Sequence, residues 1–199
     1  MVLSFNFLGA RVKISFLLIA LLALFAFCDK SGLMLVAISS ALIHELGHII
    51  MAELLGFGVK ELYFAPFGIR MILKTPLSVA KSTKKIAVLS AGCFVNLVLF
   101  IVFWFLGHKT AAYIQLITAT FNILPAGTLD GGRILHEILT MHLEADRAQT
   151  ITDIISLLSA VLLFLLGSFV LLKSGYNFSL ILTSIYLAIM VIIRQKKLN

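Results

Sequence analysis

Two histidines and a glutamate stand close together in the run His44-Glu45-Leu46-Gly47-His48. On a helix, residues four apart lie on the same face one turn apart, so His44 and His48 can bind one metal ion. Glu45 is displaced by one residue and could take a proton from a water molecule at that ion. The spacing therefore predicts a catalytic metal site, with Glu45 as its general base.

A third ligand is expected, because a catalytic zinc site usually has three protein ligands and an open position. The segment 125–132, PAGTLDGG, interrupts an apolar run, and Asp130 is its only carboxylate. Glycine after Asp130 lets other backbone approach closely. We therefore expect Asp130 to complete a site for one Zn²⁺ ion per chain, although the same ligands tolerate other divalent ions. The alternative is that Asp130 caps the helix resuming at Gly131.

Other polar residues also lie within or beside the apolar segments. Asn122 precedes Asp130 closely and is expected to contact the substrate, by holding a peptide carbonyl or a developing oxyanion. Asn96 is interpreted as a residue that packs one helix against another. The remaining candidates are interpreted as interfacial, with a supporting role behind the metal ligands as the alternative, and they are His108, His136, Glu137 and His142.

These residues are embedded in a strongly apolar chain. Of its 199 residues 61% are hydrophobic and 13% are charged, and the mean hydropathy is +1.10. This composition is typical of membrane proteins. Because a helix needs about 20 apolar residues to cross a bilayer, the length predicts several spans and one domain, 1–199, with no soluble accessory domain.

Charges, glycines and turn residues divide the chain into six apolar segments, each of which predicts a transmembrane helix. They run 12–28, 33–55, 84–106, 111–142, 150–172 and 177–194. The fourth is broken at 125–132, and irregular backbone at membrane depth is tolerated where it lines a site. The first could instead be a cleaved signal peptide, but Phe27 and Cys28 do not resemble a cleavage site. The predicted fold class is α-helical and polytopic.

The pattern changes between the second and third segments. Residues 59–64 and 69–74 are rich in β-branched and aromatic residues and flank the turn-forming sequence PFG at 66–68. This predicts a β-hairpin. Its apolar character favours a membrane-associated position, and an amphipathic loop lying on the membrane surface is the alternative.

The distribution of basic residues indicates the orientation. Six spans place both termini, the 56–83 loop and the 143–149 connection on one side, which holds all of the 16 Lys and Arg residues except Lys30, Lys109 and Lys173. By the positive-inside rule, both termini of this integral, multi-pass protein are cytoplasmic, and the site lies toward the cytoplasmic half. The formal charge of +7 is thereby explained without nucleic acid. The lipid bilayer is the expected partner of these basic residues.

The motifs together resemble the site-2 protease family of intramembrane zinc metalloproteases, peptidase family M50. The residues that carry the resemblance are His44 to His48 in a span, PFG at 66–68, SAG at 90–92 with Asn96, FNILP at 121–125 and LDGG at 129–132. The arrangement is most similar to the branch that contains the bacterial stage IV sporulation protease, which also has six spans.

The resemblance implies that His44, His48 and Asp130 bind zinc, that Glu45 is the general base and that Asn122 engages the substrate. It implies regulated intramembrane proteolysis of a membrane-embedded or membrane-tethered protein in a bacterial cell membrane. A sporulation transcription-factor precursor is the specific substrate that it suggests, and regulation would come from membrane partner proteins. Thr128 and Cys93 stand where the family often has proline.

Two other functions remain compatible with these residues. A divalent-metal carrier or sensor also needs a broken helix and ionisable residues near mid-membrane. A catalytically inactive membrane scaffold is the second alternative. Glu45 distinguishes them, because a hydrolase requires a base beside the metal and a carrier gains little from a carboxylate at that position.

Overall fold

The structure of the chain is a computed structural model that describes residues 2–7, 9–65, 68–127, 129–175 and 178–196. In chain order its elements are β1 (Val2–Phe7), β2 (Ala10–Ser15), α1 (Phe16–Cys28), α2 (Leu33–Leu54), β3 (Val59–Ala65), β4 (Gly68–Leu73), a 3₁₀ turn (Leu77–Val79), α3 (Ser82–Phe105), α4 (Lys109–Asn122), α5 (Asp130–Thr140), α6 (Ala145–Ser174) and α7 (Ser179–Lys196). The chain divides into two compact units, Met1–Ala119 and Thr120–Asn199.

The N-terminal strands correct one sequence prediction. The first span was expected from residue 12, but residues 10–15 form β2, and α1 begins only at Phe16. The reason is visible in the sequence, where Ala10, Val12 and Ile14 alternate with polar residues. That period of two is typical of a strand. α1 is therefore shorter than the predicted span.

The described strands form one sheet in the order β1-β2-β3-β4. The antiparallel pair β3 and β4 confirms the two strands of the predicted hairpin. Its predicted turn residues Pro66 and Phe67 lie outside the described residues, and its position relative to the membrane stays a prediction. β2 runs parallel to β3. The side chains of Lys13 and Glu61 form an ion pair between these strands, with Nζ and Oε1 2.8 Å apart. β3 is thus an inner strand, and β1 and β4 are the edges of the described sheet.

Three of the described helices, α2, α3 and α6, are long and apolar enough to cross a membrane. α6 illustrates how such a helix packs. Its Thr152, Ser156 and Ala160 are buried, whereas leucines such as Leu158 and Leu162 are exposed. Small and polar residues inside with large apolar residues outside are the arrangement of a helix that faces lipid. These features are those of an integral membrane protein, and the count of six spans stays a prediction.

The predicted interruption of the fourth span is present. α4 ends at Asn122 and α5 begins at Asp130. Hydrogen bonds hold the irregular segment between them, since Leu129 N–H donates to the Ala126 carbonyl at 2.8 Å and Gly127 N–H donates to Ser156 Oγ at 2.8 Å. Thr128 lies outside the described residues. The hydrogen bonds that hold the segment before α5 are therefore all formed within the second unit.

The beginning of α2 is defined by the side chain of Asp29. Its carboxylate accepts hydrogen bonds from the Ser31 hydroxyl and N–H groups and from Met34 N–H, at 2.6 to 2.9 Å. These bonds, the Ser31 hydroxyl first, lower the pKa of Asp29 below its ordinary value. α2 consequently starts at Leu33, which places His44 and His48 well inside its 22 residues.

Each unit has a small apolar core. In the first, Ala52, Phe57 and Val88 join the end of α2 to the start of α3. In the second, Ala126 and Leu187 belong to a core that includes the irregular segment and α7. The elements that carry the predicted ligands are thus anchored separately in their own units.

Candidate active site

His44 and His48 face each other within the first unit. Both side chains are buried, although most of α2 is apolar. Their rings meet edge to face with centroids 4.8 Å apart, and the two Nε2 atoms are separated by 3.2 Å. The predicted alignment of the two histidines on one helix face is present in the structure.

The other ring nitrogens are held by oxygen acceptors on α3. His48 Nδ1 lies 2.7 Å from the Val88 carbonyl oxygen, and His44 Nδ1 lies 3.1 Å from Asn96 Oδ1. A carbonyl oxygen can only accept a hydrogen bond, so each Nδ1 carries the proton. In the neutral imidazoles both Nε2 atoms are then unprotonated and point toward the same space.

This arrangement fits a zinc ion. Two unprotonated Nε2 atoms at 3.2 Å cannot donate to each other, so a cation between them removes an unfavourable approach. In a tetrahedral site with zinc–nitrogen bonds of about 2.0–2.1 Å, two ligand nitrogens lie about 3.3 Å apart. The histidine pair therefore has the donor chemistry and the spacing of two zinc ligands.

Glycines make room for this pair between α2 and α3. A Cβ atom on Gly92 would lie 2.5 Å from His48 Nε2 and 2.7 Å from His44 Nε2. A Cβ atom on Gly47 would lie 2.8 Å from the Ala91 carbonyl oxygen. The two helices approach closely because both positions lack side chains, and Gly92 leaves the space beside the Nε2 atoms open.

Glu45 follows His44 directly on α2 and is partly buried. One helical residue corresponds to a rotation of about 100°, so Glu45 lies beside the face that carries the histidines. This position is compatible with a base that acts next to the metal ligands without being one of them.

Asp130 is the first residue of α5 and is buried. The N-cap residue of α5 is Leu129, so the alternative in which Asp130 caps the helix does not describe its position. Cβ atoms on Gly131 and Gly132 would collide with the carbonyl oxygens of residues 123 and 126. The two glycines are therefore required for α5 to start against the irregular segment.

The three predicted ligands are buried, each within its own unit, His44 and His48 in the first and Asp130 in the second. Buried carboxylates and imidazoles are costly unless they are paired or bind metal. The binding of one ion by all three residues stays a prediction.

The other predicted residues take different positions. Asn122 is the last residue of α4 and is partly buried. His136 and Glu137 lie partly buried in α5, while His108 and His142 are exposed between helices.

Sequence reasoning missed the role of α3. Asn96 was interpreted as a residue that packs one helix against another, and its hydrogen bonds with Ser40 on α2 and Gln115 on α4 confirm this, but its contact with His44 was not predicted. Val88, Gly92 and Asn96 recur every four residues and all face the two histidines. The signal was a small and polar stripe within an apolar helix, and only the packing of α3 on α2 shows what that stripe contacts.

Known proteins resemble the chain in part of its sequence and in its fold. The model of peptidase family M50 matches residues 108–166, which include Asn122 and Asp130. No curated protein matches the sequence. A solved structure of the site-2 protease from Methanocaldococcus jannaschii is similar, with a TM-score of 0.67 and 22% identity, over 96% of this chain and 94% of that chain.

Proposed function

We propose, from its likeness to the site-2 proteases of peptidase family M50, that this chain is an intramembrane zinc metalloendopeptidase. The observation that carries the proposal is the pair of Nε2 atoms 3.2 Å apart, each on a histidine whose Nδ1 is held by an oxygen acceptor. The M50 match and the site-2 protease fold support the coarser reading, an intramembrane metalloprotease. Zinc fits the chemistry of two histidines and one carboxylate.

The residues divide the chemistry of peptide hydrolysis among them. His44, His48 and Asp130 would hold the ion. When bound, zinc supplies a Lewis acid that lowers the pKa of a water molecule and polarises a peptide carbonyl. Glu45 accepts the proton of the attacking water and gives it to the leaving amine. Asn122 holds a substrate carbonyl by donating a hydrogen bond.

The substrate is a membrane-embedded or membrane-tethered protein. α2 is apolar over most of its length, and its histidines lie 11 and 15 residues after its start. At a rise of about 1.5 Å per residue, this places them about 17–23 Å along a helix long enough to cross the hydrocarbon core. With cytoplasmic termini, that depth lies in the cytoplasmic half of a bacterial cell membrane. A sporulation transcription-factor precursor stays one candidate substrate, with membrane partner proteins as its regulators.

Removal of the metal tests this function. The protein is reconstituted in vesicles with a panel of tagged single-span proteins, among them a membrane-tethered sporulation transcription-factor precursor. A chelator is expected to abolish cleavage and added zinc to restore it, since water activation depends on the ion. Chelator already loaded with zinc is the control. Cleavage that persists in metal-free protein would contradict the proposal, and zinc entry into vesicles without cleavage would favour a carrier.

A substrate segment must be extended before cleavage, because a helix satisfies its own backbone hydrogen bonds. β4 is an edge of the described sheet and can pair with such a segment. A photoreactive residue at Ile72 on β4, 42% exposed, is expected to cross-link the substrate. The matched control is Phe5 on the opposite edge, 44% exposed. Equal cross-linking from both edges would exclude a specific role for β4.

A further inference from the structure

Asn96 lies at the centre of a buried polar network on three helices of the first unit. Its side chain is 0% exposed, although α3 is otherwise apolar at this depth. Asn96 Nδ2 lies 2.7 Å from Gln115 Oε1 on α4 and 3.0 Å from Ser40 Oγ on α2. Ser40 Oγ in turn lies 3.0 Å from Gln115 Oε1. Three fully or nearly fully buried polar side chains therefore hold one another.

This network determines which end of the Asn96 amide faces His44. The two Nδ2 hydrogens are directed at Gln115 Oε1 and Ser40 Oγ, which leaves Oδ1 at 3.1 Å from His44 Nδ1. Rotating the Asn96 amide by 180° would place its carbonyl oxygen against Gln115 Oε1, where two acceptors repel. Oδ1 is thereby kept toward the histidine, and it can only accept a hydrogen bond.

The two histidines depend on different kinds of partner. His48 is held by the backbone carbonyl of Val88, which no substitution removes. His44 is held by the side chain of Asn96. A neutral imidazole can carry its proton on either nitrogen, and a proton on Nε2 blocks metal binding there. Of the two groups that hold the histidine Nδ1 atoms, only the Asn96 side chain can therefore be removed by substitution.

We propose that Asn96, oriented by Gln115 and Ser40, is a positioning residue that holds His44 in the one tautomer whose Nε2 can bind the metal. This inference rests on the proposed function, because it takes the ion to serve peptide hydrolysis. The tautomer of His44 can be observed without a cleavage assay. Gln115 acts through Asn96, so its role extends the site to α4.

Three variants test the proposal in the full-length protein. Asn96→Leu has a similar shape and lacks the acceptor, so zinc affinity is expected to fall by about 10–100-fold, as for other partners behind metal ligands. Asn96→Asp keeps an oxygen toward His44 and is expected to recover most of that affinity, because an oxygen that accepts from Nδ1 favours the same tautomer. Gln115→Leu is expected to weaken binding less than Asn96→Leu. Affinity is measured by competition with a chromophoric chelator.

Two further measurements separate positioning from a merely structural role. Nitrogen NMR of the metal-free protein is expected to show the Nδ1-protonated tautomer of His44 in the wild type and a mixture in Asn96→Leu. The cobalt-loaded variant is expected to show an altered ligand-field spectrum. Thr152→Val is the matched control, since Thr152 is also fully buried and donates to the Ala148 carbonyl at 2.7 Å. This control is expected to leave zinc affinity unchanged.

The outcomes separate the two proposals. If Asn96→Leu binds zinc as tightly as the wild type and keeps the same His44 tautomer, the positioning role is wrong even when the protein cleaves membrane substrates. If Asn96→Leu loses affinity and the tautomer, and Asn96→Asp recovers both, the positioning role holds even when no substrate is cleaved. If Asn96→Leu loses zinc affinity but keeps the His44 tautomer, and Asn96→Asp does not restore the affinity, Asn96 is only a packing residue and the positioning role is wrong.

Discussion

Replacing Glu45 with glutamine is expected to slow cleavage by about 10²–10⁴-fold, the usual contribution of a general base. Glutamine has nearly the same shape but cannot accept the proton of the attacking water. Glu45 is proposed as the base and not as a ligand, so zinc content per chain should remain that of the wild type. The measurement is the single-turnover rate on a tagged membrane substrate, with zinc determined on the same samples.

A second carboxylate on α2 provides the control. Glu53 lies eight residues further along the helix and accepts a hydrogen bond from Val59 N–H at 2.6 Å. Glu53→Gln retains an oxygen for that bond and should cleave at the wild-type rate. If Glu45→Gln also loses its zinc, Glu45 belongs to the ligand set and not to the proton transfer. Wild-type cleavage by Glu45→Gln would exclude it as the base.

Adding one methyl group at Gly92 is expected to remove metal binding almost completely. The new Cβ would lie 2.5 and 2.7 Å from the two Nε2 atoms, well inside van der Waals contact and in the space between α3 and the histidines. Substitutions of residues behind metal ligands lower metal affinity by up to about 100-fold. Gly92→Ala displaces the ligand atoms themselves, so its loss of zinc affinity should be larger. Cleavage should be lost with it.

Gly167→Ala controls for crowding between helices. Its Cβ would lie 2.9 Å from Ile181 N and 3.0 Å from two side-chain atoms, so it disturbs the contact of α6 with α7. This variant is expected to lower thermal stability while keeping zinc affinity per folded chain. Gly92→Ala that binds zinc normally would show that α2 and α3 separate easily at this point. The close packing described for the histidine pair would then not define the site.

The candidate metal ligands could be proposed from the sequence because their signals are local. His44 and His48 are one helical turn apart wherever the helix lies, and an ionisable residue in an apolar segment is costly enough to imply a function. Asp130 was proposed for a related reason, since a carboxylate flanked by glycine within a broken apolar run has few structural explanations. Chemistry and spacing within short segments sufficed to propose all three.

The parts that were missed depend on contacts between distant segments. Nothing within residues 10–15 reveals that they pair in parallel with a strand nearly 50 residues later, and the neighbouring apolar residues merged them into a predicted helix. The role of Asn96 depends on which face of α3 meets α2, which the two glycines determine. Such information lies in the packing of two helices and not in either one alone.

Parallel pairing of β2 with β3 also restricts how the intervening chain can pass through a bilayer. Hydrogen bonds join the strands directly, so the paired residues Arg11 and Glu61 lie on the same side of any membrane that α2 crosses. The number of passages between them is therefore even, and α1 is the other described helix in that interval. Its 13 residues rise only about 20 Å, less than the hydrocarbon core of about 30 Å. The strand leading into α1 must then make up the remaining depth.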